Sequence, residues 1–195
     1  MPVTDLLHRH PGDWARATRH PFLTAVRDGT LPAGAFDTWL VQDARFVADL
    51  LTFQARLLAR APRPAQAVLA AGAVSLVAEL DWFAAQAAAR GLDLAAAPLP
   101  ATGAYAALLH RLDGAAVGSA LTALWTIERT YLDAWTHARP GAPDLRQFVE
   151  HWTQPGFAGY VAELEAAADR AGAPDEAVFA EVVAAEVAFW DMALA

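Results

Sequence analysis

Three carboxylates stand where the chain's own patterning calls for bulky apolar side chains. Asp43 lies in the stripe Phe36, Trp39, Leu40, Asp43, Phe46, Val47, Leu50. Glu128 lies in Leu121, Leu124, Trp125, Glu128, Tyr131, Leu132, Trp135, and Glu186 in Phe179, Val182, Val183, Glu186, Phe189, Trp190. Each spacing is that of one buried helix face. A carboxylate at the centre of such a face bears a large desolvation cost. In return it can accept from the N–H edge of a flat heterocycle, or move a proton with its acidity tuned by apolar surroundings. Three of them ringed by aromatics predict a small-molecule pocket with a few placed polar groups inside a helical domain. The structural alternative is that each acid pairs with an Arg or caps a neighbouring helix; Arg129, next to Glu128, falls on the wrong face for this. Glu79, in Ala78-Glu79-Leu80-Asp81-Trp82-Phe83, falls at a stripe edge and reads as a supporting or solvated acid. Asp49, Asp133 and Asp191 fall off their stripes and read as surface or capping charges.

Aromatic residues form the second signal. Phe46, Tyr105, Tyr131, Trp152 and Phe189 sit beside the acids or in similar apolar settings. Aromatics at helical spacing are mostly core, but a planar ligand needs aromatic walls, and a buried tyrosine hydroxyl needs a partner that a central carboxylate can supply. Other chemistries are excluded or weak. Cysteine is absent, which removes thiol nucleophiles, disulfides and thiolate metal sites. All fourteen cationic residues are Arg, so lysine Schiff-base chemistry is excluded. The six histidines form no metal set, and the Glu-x-x-His pairs of helical di-metal sites do not occur. Asp133 and His137 are an isolated pair, and His20 as a haem ligand is a weak reading. There is no Gly-rich phosphate loop and no Gly-x-Ser-x-Gly, and Ser75 and Ser119 are the only serines. Water is left as the nucleophile.

These residues must be positioned by helices. The 195-residue chain is 56% apolar, above the usual ~45–50%, and much of the excess is helix-favouring alanine. Ile127 is the one isoleucine, and β-branched residues are modest in number, which argues against a large sheet. Pro and Gly punctuate the chain into helical patterns, with Pro32 and Pro174 suiting first-turn positions. The longest loop, Gly91 to Gly103, carries Leu92, Leu94 and Leu99 and is expected to pack onto the body. The expectation is a single all-α domain over residues 1–195 with about seven or eight helices. The net charge of −8 and the absence of a basic cluster disfavour nucleic acid and membrane surfaces as partners. No uncharged run reaches the ~18 residues of a membrane span, and MPVTDLLHRHPGDW contains no signal-peptide run. A cytoplasmic location is expected.

Longer motifs carry a family resemblance. His20-Pro21-Phe22-Leu23, then Asp28-Gly29-Thr30-Leu31, then Phe36-Asp37-Thr38-Trp39-Leu40-Val41-Gln42-Asp43 resemble the opening of the TenA/thiaminase II family. Glu186-Val187-Ala188-Phe189-Trp190-Asp191-Met192-Ala193 resembles its closing helix, so the likeness runs from His20 to Ala193. It implies a haem-oxygenase-like helical bundle, used in this family without haem, and no cofactor. Much of the family carries a cysteine nucleophile on a central helix. Here the corresponding stretch, Ala123 to Tyr131, holds Glu128 instead and resembles the cysteine-lacking, glutamate-bearing subgroup, as do Glu79-Leu80-Asp81-Trp82-Phe83 and Gly156-Phe157-Ala158-Gly159-Tyr160-Val161.

The resemblance implies salvage of aminopyrimidines from degraded thiamin, by hydrolysis of an amino- or formylamino-methyl pyrimidine; cleavage of thiamin itself is less expected. Matched residue by residue, Asp43 takes the place of the acid that grips the pyrimidine, Glu186 that of the proton-transfer acid, and Tyr105 that of a pocket tyrosine. Phe46 and Trp152 stand where cysteine-bearing members have tyrosines, which removes two hydroxyls. On this reading Glu128 and Glu186 are catalytic, while Asp43, Phe46, Tyr105, Tyr131 and Trp152 bind substrate, with no metal. The expected partners are a small aminopyrimidine and further copies of the chain in a homo-oligomer. The alternatives are a non-catalytic pyrimidine-binding or regulatory protein and a metal-dependent oxidase on the same fold.

Overall fold

The computed structural model describes residues Met1 to Ala195, and they form helices and loops with no strand. The helices are α1 (Asp5–Arg9), α2 (Pro11–Thr18), α3 (Pro21–Asp28), α4 (Ala35–Arg60), α5 (Arg63–Arg90), α6 (Pro100–Leu112), α7 (Val117–His137), α8 (Arg146–His151), α9 (Pro155–Arg170) and α10 (Glu176–Leu194). Eight are at least eight residues long, the number expected from the sequence; α1 and α8 are short additions of five and six residues. One core of 50 buried residues draws on all ten.

The helix ends show why the chain breaks where it does. Pro11, Pro21, Pro64, Pro100 and Pro155 sit in first turns, where a missing N–H costs nothing. Pro32 and Pro174 do not, contrary to expectation. Each lies just outside its helix: the chain turns through Gly34, with φ +82°, before α4 begins, and Asp175, whose carboxylate accepts from Val178 N at 3.1 Å, caps α10. His20 caps α3, its Nδ1 accepting from Phe22 N at 3.2 Å while Nε2 lies 3.0 Å from Asp191 Oδ1 on α10. The opening and closing motifs are therefore tied to one another. Both imidazole nitrogens are occupied, so His20 is not free to ligate a haem iron.

Helix α7 is the centre of the bundle, packing against α2, α3, α4, α9 and α10. Every residue from Ala120 to Glu128 is buried, the pattern of a helix surrounded by others. Its buried hydroxyls are satisfied within the helix: Thr122, Thr126 and Thr130 donate to the carbonyls four residues back at 3.0, 2.7 and 2.7 Å. The Gly91–Gly103 loop does pack onto the body. Gln42 on α4 accepts from Leu99 N and Thr102 Oγ1 and donates to Ala97 O, and Arg45 donates to Leu94 O. Helix α5 pairs with α4 and α9. It is long and apolar enough by length and composition to cross a membrane, and only 22% of its most apolar stretch is buried. Its inner face nevertheless belongs to the core, through Val68, Leu69, Leu76 and Phe83.

Candidate active site

A cavity of about 480 Å³ opens between α4, α5, α7, the end of α8 and α9. Its walls are largely apolar, with Phe46 from α4, Trp82 from α5, Tyr131 from α7, Trp152 after α8, and Phe157 and Tyr160 from α9. Two carboxylates face it, Glu79 and Glu128, and no Arg does. Gly72 lines the floor where a Cβ would overlap the Tyr160 hydroxyl and Gln54 Nε2. Tyr160 donates to Gln54 Oε1 at 3.2 Å, and Gln54 in turn donates to Leu69 O at 2.8 Å.

The residues singled out in the sequence divide into two layers. Glu128, Phe46, Tyr131 and Trp152 line the cavity. Asp43, Tyr105 and Glu186 do not, which departs from the expectation that all three acids face one open space. They sit one layer inward, at 1%, 1% and 2% exposure. Each inner acid is met by a tyrosine. The Tyr131 hydroxyl donates to Asp43 Oδ2 at 2.5 Å, and the Tyr105 hydroxyl donates to Glu186 Oε1 at 2.5 Å. Tyr131 itself lines the cavity, and Phe46 packs on Tyr105 with ring centroids 4.6 Å apart. The physical reason for the layering is that a carboxylate ringed by apolar groups takes the nearest hydroxyl, and the phenol ring then fills the space in front of it. Asp43 Oδ1 remains buried with no partner, and such an orphan costs about 1–3 kcal/mol.

None of the three acids is paired with an arginine. Arg129 turns away to Asp133 at 3.0 Å and Glu165 at 3.8 Å. Burial, the largest cause, pushes Asp43 well above the usual carboxylate range; the Tyr131 hydrogen bond opposes this, and the charges of Glu79, Glu186 and Glu128 reinforce it. Burial raises Glu128 to about 8, helped by the charges of Glu79 and Glu186. Glu186 is raised to about 8 by burial against the Tyr105 hydrogen bond. Tyr105 and Tyr131 are pushed up by burial and by the acids they serve. The charges that raise Asp43 and Glu128 come from acids of this same neighbourhood.

Glu79 was read from the sequence as a supporting or solvated acid; it lines the cavity instead. Trp152 Nε1 donates to its Oε1 at 2.6 Å, and His151 Nε2 lies 2.8 Å from its Oε2. The His151 ring stacks on Trp82 with centroids 4.0 Å apart and planes 6° apart. Stripe position hid Glu79, since its partners come from a segment more than 70 residues away. Nothing in local periodicity marks Tyr160 or His151 as a cavity residue. Behind this wall, Trp152 packs at 4.6 Å on Trp135 and edge-on to Trp39 at 5.3 Å, which fixes its orientation. No group of three or more His, Asp or Glu side chains has the geometry to hold a metal ion.

Comparison with known proteins bears on the family and the fold. The model of the TENA/THI-4/PQQC family matches residues 8–195. A Glycine max protein of the TENA-E type, described as bifunctional, is 32% identical over 206 residues, covering 95% of this chain and 90% of its own length. The structure of a TenA homologue from Pyrococcus furiosus superposes with a TM-score of 0.90 at 28% identity, covering 99% of this chain and 100% of that one. A TenA homologue from P. horikoshii OT3 shares the fold, with a TM-score of 0.87 at 22% identity over 100% of this chain and 99% of its own. The all-α bundle is thus the haem-oxygenase-like fold of these proteins, and the chain belongs to the TENA/THI-4/PQQC family as a TenA, thiaminase II-type member without cysteine.

Proposed function

We propose that this protein is an aminopyrimidine hydrolase of thiamin salvage, acting on an amino- or formylamino-methyl pyrimidine with water as nucleophile. The observation that carries this reading is the two-layer acid site: an aromatic-walled cavity whose own acids, Glu79 and Glu128, are backed by Asp43 and Glu186. Membership of the TenA family supports the thiamin connection.

The chemistry assigned to each residue follows from its setting. Phe46 and Trp152 flank the flat ring. Asp43 grips the amino edge of the pyrimidine through Tyr131, whose hydroxyl accepts from the amino group on the cavity side while donating to Asp43 Oδ2. Glu128 opens on the cavity and holds a proton at neutral pH, so it gives that proton to the leaving nitrogen. In the singly ionised form of the Glu128–Glu186 pair, Glu186, steadied by Tyr105, has given up its proton while Glu128 keeps its own, and Glu186 takes a proton from the attacking water where that water enters the inner layer. For the aminomethyl substrate, a C–O bond to water forms as the C–N bond breaks, giving the hydroxymethyl pyrimidine and ammonia. The proton lost by Glu128 equals that gained by Glu186. General acid and base catalysis of this kind is typically worth ~10²–10⁴-fold in rate.

The test is a substrate panel of thiamin, aminomethyl-pyrimidine and its formylamino derivative, followed by product identification. Release of ammonia or formate with the pyrimidine product is expected. Tight binding without turnover would point to the non-catalytic pyrimidine-binding or regulatory reading instead.

Self-association belongs to the same proposal. Between Arg63 and Glu79 the chain carries no charge, and in this stretch Val74 and Val77 are 71% and 51% exposed. On a chain of net charge −8 this face is one where two copies can meet without repulsion. Light scattering is expected to give a mass above 20.8 kDa, and Val74→Glu to reduce it.

A further inference from the structure

Glu79 has two features that the reaction as proposed does not use. Its carboxylate is the junction between two elements: it sits on α5 and receives the Trp152 indole N–H at 2.6 Å, with His151 Nε2 at 2.8 Å, from the end of α8. Of the four acids it is the one met by an indole N–H and an imidazole nitrogen, whereas the inner acids meet only hydroxyls and Glu128 meets no protein donor. It faces the same cavity as Glu128. The Trp152 indole can only donate, so one Glu79 oxygen is fixed as an acceptor on the wall that Glu79 shares with Glu128.

We propose that Glu79 is a positioning residue that acts through Glu128: its fixed charge keeps the proton on Glu128 until the leaving nitrogen takes it, while its two hydrogen bonds hold the Trp152 wall. The inference rests on the hydrolase reading for its kinetic form, but the electrostatic part stands without turnover. The groups facing Glu128 are Asp43 from α4, Glu79 from α5, Tyr105 from α6, Tyr131 on α7 itself, His151 from α8, Tyr160 from α9 and Glu186 from α10. Among them Glu79 is the first of the charges that raise Glu128, after burial itself. Trp152 also contacts Trp39, Trp82 and Trp135, so the wall has support beyond Glu79, and a change of charge there can be separated from collapse of the wall.

The experiment compares Glu79→Gln with Trp152→Phe. Glu79→Gln keeps the shape and an acceptor but removes the charge; Trp152→Phe removes a hydrogen bond and keeps the charge. In Glu79→Gln, the alkaline limb of the kcat–pH profile, where Glu128 loses its proton, is expected to move down by about one pH unit or more, since a unit charge within roughly 12 Å at an effective dielectric constant of about 20 is worth at least about 1.4 kcal/mol. In Trp152→Phe, activity falls but the limb stays in place. A limb that does not move in Glu79→Gln, or moves equally in both variants, overturns the proposal. The same shift is read without substrate by carbon NMR titration of the Glu128 carboxyl, assigned by its loss in Glu128→Gln. An inactive wild type with that shift present ends the hydrolase reading and keeps this one. Glu79→Ala, read by the same titration, serves if Glu79→Gln does not fold.

Discussion

The inner and outer layers of the site hold the same residue types in opposite arrangements. Inside, Asp43 and Glu186 are sealed from solvent and each is held by one tyrosine hydroxyl at 2.5 Å. Outside, Glu79 is met by an indole and an imidazole, and Glu128 faces the cavity with no protein donor at all. The difference teaches that burial alone does not set the task of a carboxylate. Glu128 and Glu186 are both raised to about 8, yet only Glu128 touches open space, and so only it can hand a proton directly to a bound molecule. The outer layer meets the ligand first; Asp43 stands behind Tyr131, which lines the cavity, and Glu186 behind Tyr105 and Phe46.

The comparison breaks most visibly at the two proton-transfer acids. Glu128→Gln and Glu186→Gln should each keep the fold and lose ~10²–10⁴-fold in kcat, measured by ammonia release alongside a thermal melt. Near-wild-type turnover in either variant removes that residue from the mechanism. Asp43→Asn should act on binding instead. The loss of a charge-assisted hydrogen bond, about 1.5–3 kcal/mol, should weaken the calorimetric affinity for aminomethyl-pyrimidine by roughly 10–100-fold, with a smaller change in kcat. Unchanged affinity would refute its part in holding the pyrimidine.

Smaller effects sharpen the distinction between the layers. Tyr131→Phe leaves Asp43 Oδ2 without a donor, beside an Oδ1 that already lacks one. It should cost about 1–3 kcal/mol of stability, read from urea denaturation. The acids also make stability depend on pH. Glu128 and Glu186 are raised from 4.5 to about 8, so the folded state holds protons that the unfolded state releases. The contribution is complete below about pH 4.5 and is lost as pH rises towards 8, at up to about 1.4 kcal/mol per pH unit for each group. Melting temperature should therefore fall between these limits, and less steeply in Glu128→Gln. A melting temperature that rises over this window would contradict the protonated, buried acids.

Much of this was legible in the sequence, for a physical reason. Helical periodicity reports which face is buried, and it placed Asp43, Glu128 and Glu186 on buried faces, where they lie. The need of a buried phenol for a partner also joins tyrosines to carboxylates, as at Tyr131–Asp43 and Tyr105–Glu186. Periodicity does not report what stands on the other side of the face. Hence Glu79 at a stripe edge was undervalued, His151 and Tyr160 were passed over, and the layering of Asp43 and Glu186 behind aromatics was invisible. The prolines teach the same lesson on a small scale: Pro174 is outranked as a helix start by the Asp175 side-chain cap, and Pro32 by a turn through Gly34 at φ +82°.

The central claim is that water, activated by these acids, replaces the amine of a bound pyrimidine. The most direct measurement is turnover of aminomethyl-pyrimidine in isotope-labelled water, with mass analysis of the product and parallel assay of ammonia. The account predicts one labelled oxygen in the hydroxymethyl product for each ammonia released. Product without label, or no ammonia from any pyrimidine in the panel, would contradict it.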